Sequence, residues 1–101
     1  MDRKVELFHT AFEDKPEYIG TWAFSHQKYG NYSDKSLAEV VYSASQNIDE
    51  SWSKEALGKE YRSTSVGDYV KINGVRYYVA NYGFTKTPVD NRGRNSKGER
   101  I

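Results

Sequence analysis

Cysteine is absent from this chain of 101 residues, and its absence excludes several kinds of chemistry at once. Without cysteine the chain has no disulfide framework, no thiolate ligands for zinc and no thiol nucleophile. Long apolar runs are also missing, since no stretch approaches the roughly 20 residues of a membrane-spanning helix. The segment MDRKVELFHT lacks the apolar centre of a secretory signal. We therefore expect a cytoplasmic protein.

Aliphatic side chains are sparse, and the mean hydropathy is −0.89. That value alone would place the chain near the disordered class. Aromatic residues, however, make up 15% of the chain, with nine Tyr and two Trp, and their rings bury large areas while keeping a polar tip. We predict one ordered domain with an aromatic-rich core, residues 1–84. The polar remainder, residues 85–101, has no apolar periodicity and is predicted to be a basic, disordered tail.

Charge is unevenly distributed along the chain, although the net charge is only +1. The net charge is −4 over residues 1–60, +2 over residues 61–84 and +3 over residues 85–101. The acidic part is too dilute for a DNA mimic, and the basic part is too weak for a dedicated duplex binder. A local basic site in the second half remains compatible with these values.

Patterning before residue 60 predicts two strands and two helices. Residues 4–9 alternate and predict the first strand, and residues 21–26 predict the second. Residues 12–20 between them are expected to form a polar loop that Gly20 ends. A helix is expected to begin near Lys35, with Ser33 or Asp34 as its cap. A second, short helix is expected over residues 52–57. The predicted apolar stripe of the first helix contains Leu37, Val40, Val41, Ala44 and Ile48.

Asn73-Gly74 is the strongest turn signal, because both residues tolerate the positive φ of a type I′ turn. A two-residue turn fixes the strand pairing, so Lys71 faces Arg76 and Tyr69 faces Tyr78. One face of this hairpin is then apolar and is expected to pack on the helix: Val70, Ile72, Val75, Tyr77 and Val79. The other face is basic and aromatic and is expected to meet solvent or a partner: Tyr69, Lys71, Arg76, Tyr78, Ala80 and Tyr82.

These elements predict an α+β fold, with a small antiparallel sheet whose C-terminal hairpin packs on one or two helices. A small SH3-like or PUA-like barrel with a helix is the structural alternative.

Residues 60–84 read EYRSTSVGDYVKINGVRYYVANYGF. The pattern Arg-Ser-x-Ser-Val-Gly-Asp, then strand, turn, strand and a closing Gly-Phe resembles the YodL-like domain family. The matching residues are Arg62, Ser63, Ser65, Val66, Gly67, Asp68, Val70, Gly74, Tyr78, Val79, Gly83 and Phe84. The resemblance implies a small accessory or early protein of a phage or mobile element. It implies no catalytic activity, and the motif residues are themselves explained by turn formation.

No motif in the chain predicts an enzyme. His9 and His26 are the only histidines and have no metal-ligand spacing. Phosphate-binding loops and the G-x-S-x-G pattern are absent from the sequence. A Ser-His-Asp triad is left open, because its members need no proximity in sequence. We expect no catalysis, no cofactor and no metal site.

Two binding functions follow from these residues. The favoured one is a non-enzymatic phage or mobile-element protein that binds a host or defence protein, in host takeover or anti-defence, through Tyr69, Lys71, Arg76, Tyr78 and Tyr82. The alternative is a small nucleic-acid-binding module that uses this face together with the tail residues Arg92, Arg94, Lys97 and Arg100. The sequence indicates no oligomeric state.

Overall fold

A computed structural model of the chain describes residues 2–45 and 63–100. Within these ranges five antiparallel strands form one sheet in the order β2-β1-β3-β4-β5. The elements are β1 (Arg3–His9), β2 (Glu17–Phe24), α1 (His26–Tyr29), α2 (Asp34–Ala44), β3 (Tyr69–Ile72), β4 (Val75–Val79) and β5 (Phe84–Thr85). The predicted α+β class is confirmed. The described strands form an open sheet with β2 and β5 at its edges. The barrel that the sequence offered as a structural alternative is not formed by these strands.

The hairpin of β3 and β4 has the predicted turn and register. Asn73 and Gly74 both have positive φ, 51° and 82°, as a type I′ turn requires. Ile72 pairs with Val75, and the three predicted pairs beyond it also form. Val75 is nevertheless 38% exposed, where burial was expected. Because β5 pairs only with Tyr78 and Val79, the turn end of β4 has no outer neighbour among the described strands.

β1 is the inner strand that joins the N-terminal half of the chain to this hairpin. It pairs with β3 so that Val5 lies opposite Ile72 and Leu7 opposite Val70. Both β1 side chains are fully buried beneath α2. The predicted first strand is therefore confirmed, and its alternation sorts apolar side chains to the helix side of the sheet.

β2 begins earlier than the sequence predicted. Residues 17–20, assigned to a polar loop, already lie in β2, where Glu17, Tyr18 and Gly20 pair with β1. The register shifts between Leu7 and Phe8, which marks a bulge in the pairing. Gly20 is buried opposite Leu7 within the strand rather than ending a loop. The predicted loop was too long because, in the sequence, a glycine beside a strand bulge cannot be distinguished from a glycine that ends a loop.

α2 covers the apolar side of the sheet and starts where predicted. The Ser33 hydroxyl caps it by accepting from the Ser36 N–H at 3.1 Å. Leu37, Ala38 and Val41 are fully buried in the core, whereas Val40 is 37% exposed. The buried face is therefore rotated towards Ala38 relative to the predicted stripe. Ile48 and the predicted second helix over 52–57 lie outside the described residues.

Arg3, Asp34 and Tyr77 tie α2 to two strands of the sheet. The Arg3 guanidinium donates to Asp34 Oδ1 at 3.0 Å and to the Tyr29 carbonyl at 2.6 Å. The Tyr77 hydroxyl donates to Asp34 Oδ2 at 3.1 Å. Burial, together with this hydrogen bond, raises the pKa of Tyr77. The carboxylate at the first turn of α2 thus bonds to β1 and to β4 at once.

Residues 85–100 follow a defined path on the sheet, where the sequence predicts a disordered tail. Val89 is 8% exposed and packs beside Tyr69 and Tyr78. The Asn81 amide donates to the Gly93 carbonyl at 3.2 Å. Gly67 lies so near the backbone of Asp90 that a Cβ at Gly67 would be 2.8 Å from it. Composition suggested disorder because it counts apolar residues and overlooks such local polar contacts. In the described part of the chain, no helix has the length and apolar character needed to cross a membrane.

Gly67→Ala and Gly74→Ala form a matched pair that tests the packing of residues 86–100. Both glycines have positive φ, so either alanine costs about 1–2 kcal/mol of strain. A Cβ added at Gly74 would have no atom within 4 Å, whereas one added at Gly67 would meet the Asp90 backbone. We expect an additional loss of about 1–3 kcal/mol for Gly67→Ala alone. Urea denaturation measures both losses, and equal losses would contradict the described path of residues 90–91.

Tyr77→Phe tests the bond between β4 and α2 through its pH dependence. The folded chain holds the Tyr77 proton more tightly than the unfolded chain, since its pKa is raised. This stabilisation is therefore complete below the unfolded pKa of about 10 and is lost as pH rises through the folded value. Tyr77→Phe should lose about 1 kcal/mol at neutral pH and decline less steeply in alkali. Urea denaturation from neutral to alkaline pH measures both effects. Tyr82→Phe, at an exposed side chain, should keep the wild-type profile.

Candidate interaction surface

Four aromatic rings form one row across the outer face of the sheet, the face opposite α2. The strand pairing places Tyr18 beside Phe8, Phe8 beside Tyr69, and Tyr69 beside Tyr78. The ring centroids of these neighbours are 5.6, 4.9 and 5.1 Å apart, and Phe8 stacks on Tyr69 with 16° between planes. We call these four residues the aromatic row. Such spacings are typical of stabilising aromatic contacts.

The two hairpin tyrosines of the aromatic row are buried, which corrects the expectation that they meet solvent or a partner. Tyr69 is 4% exposed and Tyr78 is 8% exposed. Val89 packs on both rings, and the Arg76 guanidinium carbon lies 4.9 Å from the Tyr69 ring centroid. Burial raises the pKa of Tyr69, while the Arg76 charge acts against that rise. The accessible part of the row is its other end, where Tyr18 is 52% exposed and Phe8 is partly buried.

Charged side chains occupy the next row of the same face. Glu6 pairs with Thr21 on one side and with Lys71 on the other, and Lys71 pairs with Arg76. The like-charged pair of Lys71 and Arg76, unfavourable by itself, thus has Glu6 on one flank and the Tyr69 ring beneath Arg76. Arg76 is exposed and Lys71 is partly buried. Local patterns did not place Glu6 here, because its position depends on β1 pairing with β3.

Tyr82 is separated from the rest of the predicted surface. It lies at the tip of the turn between β4 and β5, where the Ala80 N–H donates to the Gly83 carbonyl at 2.9 Å. Its side chain is 92% exposed. The neighbouring Asn81 bonds to Gly93, so the tip lies beside the segment that carries Arg92 and Arg94. The structure therefore divides the predicted set into the outer sheet face and this tip.

The motif that carries the family resemblance forms a buried polar cluster around Asp68. Its Oδ1 accepts the backbone N–H groups of Thr10 and Ala11 at 2.8 and 2.9 Å. Its Oδ2 accepts the Ser65 N–H at 2.8 Å and lies 4.0 Å from His9 Nε2. Asp68 is fully buried. Three N–H groups satisfy this carboxylate, so the motif joins two loops to the start of β3.

The same cluster contains the groups of a catalytic triad but not its geometry. A triad histidine contacts its nucleophile through one ring nitrogen and its carboxylate through the other. Here the Thr64 hydroxyl, at 3.0 Å, and the Asp68 carboxylate both lie on the Nε2 side of His9. Thr64 and His9 are also buried in the described structure, at 2% and 1% exposure. In residues 2–45 and 63–100, no three histidine or carboxylate side chains group as metal ligands.

Phe8, Tyr18 and Val89 were not among the predicted surface residues. Phe8 lies in the aromatic row because the pairing of β1 with β3 places it opposite Tyr69. The alternation of residues 4–9 was the only sequence signal for this position. Tyr18 was assigned to a loop, and Val89 to a disordered tail. Each depends on a contact between segments distant in sequence, which local patterns do not encode.

Asp68→Asn and Asp68→Ala should strongly destabilise the fold. Alanine leaves three backbone donors without their acceptor, and asparagine turns an amide N–H₂ group towards one of them. We expect a loss of at least about 3 kcal/mol for Asp68→Ala, or failure to fold, and a smaller loss for Asp68→Asn. Asp14→Asn in the exposed β1–β2 loop is the control. Urea denaturation measures the difference, and a loss at Asp68 no larger than that of the control would contradict the role of this carboxylate.

Comparisons with protein-family models, curated proteins and solved structures found no match to this chain. The resemblance of residues 60–84 to the YodL-like family therefore has only its own residues in support. Arg62 lies outside the described residues. Ser65 and Asp68 belong to the buried polar cluster, and Gly67, Gly74 and Gly83 have positive φ, which explains this part of the motif as a fold determinant. The exposed surface indicates where a partner can bind, while a phage or mobile-element context is implied by the resemblance alone.

Proposed function

We propose that this chain is a non-enzymatic accessory protein of a phage or mobile element, which binds a host or defence protein in the cytoplasm and inhibits or redirects it. The proposed contact surface is the accessible part of the outer sheet face, formed by Tyr18, Phe8, Arg76 and Lys71. Its centre is aromatic and its margin is cationic.

The observation that carries the proposal is the half-exposed aromatic row. Tyr18 projects 52% of its side chain to solvent, while the rings behind it are packed in a continuous row. A partner therefore meets an aromatic edge whose support is already ordered, so binding costs little further conformational entropy. Tyrosine, phenylalanine and arginine are also the residue types enriched at protein interfaces.

A protein partner fits this face better than the nucleic-acid alternative does. Stacking of bases was expected on Tyr69, Tyr78 or Tyr82; the first two rings are buried, and Tyr82 lies apart from this face. Glu6 lies in the charged row beside Lys71, where it would repel a phosphate backbone. A folded partner can place an apolar group on Tyr18, an acidic group near Arg76 and a cationic or hydrogen-bonding group over Glu6, which lies on β1 between them.

Affinity capture tests this proposal. The tagged protein is incubated with nuclease-treated lysate of the host bacterium, alongside Tyr18→Ala, Arg76→Glu and Tyr32→Ala. Tyr32 is 44% exposed and follows α1, so it is a matched control for the loss of an exposed tyrosine. We expect one host protein to be retained by the wild type and by Tyr32→Ala. Tyr18→Ala should weaken that complex by about 2 kcal/mol, as at an interface hot spot, and Arg76→Glu should also weaken it.

Purified partner and isothermal titration then give the affinities of all four proteins. Equal retention by Tyr18→Ala and Tyr32→Ala would contradict the proposed surface. Loss of every captured protein after nuclease treatment would contradict a protein partner altogether.

A further inference from the structure

Residues 90–99 form two successive turns with the same backbone pattern, which we call the tandem turns. The first is Asp90-Asn91-Arg92-Gly93-Arg94 and the second is Asn95-Ser96-Lys97-Gly98-Glu99. In each, the first residue donates its N–H to the carbonyl of the fifth, at 2.9 and 2.8 Å. In each, the fourth residue is a glycine with positive φ, 74° and 80°. This is a type I turn closed by a glycine bulge, used twice.

Side chains at the first position fix both turns in the same way. Asp90 Oδ1 accepts the N–H groups of Arg92 and Arg94 at 2.8 and 3.0 Å. Asn95 Oδ1 accepts the N–H groups of Lys97 and Glu99 at 2.9 and 3.0 Å. The backbone hydrogen bonds lower the pKa of Asp90, so this acceptor stays ionised at neutral pH. A basic residue, Arg92 or Lys97, therefore occupies the same third position of each ordered turn.

The charged side chains that this segment presents to solvent are mainly cationic. Residues 85–101 contain five basic residues and two acidic ones, and the basic residues of the tandem turns are exposed. Both carboxylates are used inside the turns: Asp90 accepts backbone N–H groups, and Glu99 accepts from the Asn95 amide at 3.2 Å. The Arg94 guanidinium donates to the Gly98 carbonyl, at 2.9 Å, and links the two turns. Arg92, Lys97 and Arg100 form no ion pair in the described part of the chain.

An exposed aromatic side chain, that of Tyr82, lies next to the turn that carries the first of these cations. Asn81 bonds to Gly93 between Arg92 and Arg94, and a Cβ on Gly93 would be only 2.1 Å from that Asn81 amide. The Tyr82 tip is therefore packed directly against the first turn. Tyr82 is the most exposed large apolar side chain of the described residues, at 92%. The fold thus places one exposed aromatic side chain beside the two turns that carry the outward-facing cations.

We infer that Tyr82 and the tandem turns form a contact surface for single-stranded nucleic acid, independent of the protein partner proposed above. Tyr82 stacks on one base, and Arg92, Lys97 and Arg100 bind backbone phosphates. A repeated turn suits a polymer with a repeating charge, because each turn offers one cation at an equivalent position. The contact reads no sequence, since it consists of a ring face and of charges that meet the backbone.

Single strands fit this surface better than duplexes or acidic proteins. A duplex hides its base faces, so Tyr82 would gain no stacking partner there. An acidic protein would satisfy the cations but would not require an aromatic ring beside them. The combination of ring and spaced cations is the feature that single-strand-binding proteins share.

Fluorescence anisotropy with a labelled oligothymidylate of about 12 nucleotides tests the inference, using the complete chain at low salt. We expect binding whose logarithmic affinity falls with logarithmic salt at a slope of about −2, from roughly 0.7 per phosphate and three cations. Arg92→Glu/Lys97→Glu should weaken binding by at least about tenfold and flatten this slope. Tyr82→Ala should weaken it roughly tenfold without changing the slope, and Tyr82→Phe should retain it.

Lys15→Glu/Lys35→Glu is the matched control, because it makes the same change in net charge at two exposed residues outside this surface. It should keep the wild-type affinity within about a factor of two. Circular dichroism verifies that every variant is folded. Equal weakening by both double variants, an unchanged affinity for Tyr82→Ala, or tighter binding of a duplex of the same length would overturn the inference. So would equal competition by polyglutamate of matched charge, or no binding at low salt.

Discussion

The Asp68 carboxylate is the interaction on which the rest of this structure depends. It is fully buried and accepts three backbone N–H groups from two loops that are more than fifty residues apart in sequence. Such a carboxylate is costly to desolvate, so it is tolerated only because its acceptor sites are filled. The arrangement is therefore cooperative. Either loop in the wrong place leaves a buried charge partly unsatisfied, which penalises alternative pairings of β1 and β3.

That constraint determines the two faces of the sheet. Thr10 and Ala11 follow directly after β1, and Asp68 directly precedes β3, so the carboxylate fixes the end of their antiparallel pairing. A slip of one residue would move Val5 and Leu7 out of the core and Phe8 into it. The same register aligns Phe8 with Tyr69 and hence completes the aromatic row. The proposed binding face is thus a consequence of the buried polar cluster on the same strands.

The features predicted from sequence were those encoded by adjacent residues. Asn73-Gly74 determines its turn and pairing locally, and Ser33 caps α2 through the next three residues. The exposure of Tyr69 and Tyr78 was predicted wrongly because Val89, ten residues beyond the hairpin, covers them. Tyr18 was missed for a similar reason, since its strand depends on a bulge opposite β1. Pairing within a hairpin is a local property, whereas burial depends on every segment that reaches the surface.

The C-terminal segment shows how composition and pattern lead to different conclusions. Residues rich in Asn, Gly, Ser, Lys and Arg bury little apolar area, which is the usual reason to expect disorder. The order of these residues, however, places an Asp or Asn two and four positions before backbone N–H groups that it satisfies, and a glycine where φ must be positive. Local hydrogen bonds then substitute for a core, and Val89 supplies one apolar anchor. Because the backbone and carboxylates bond inward, the cationic side chains are left facing solvent, and this division gives the segment a cationic outer surface.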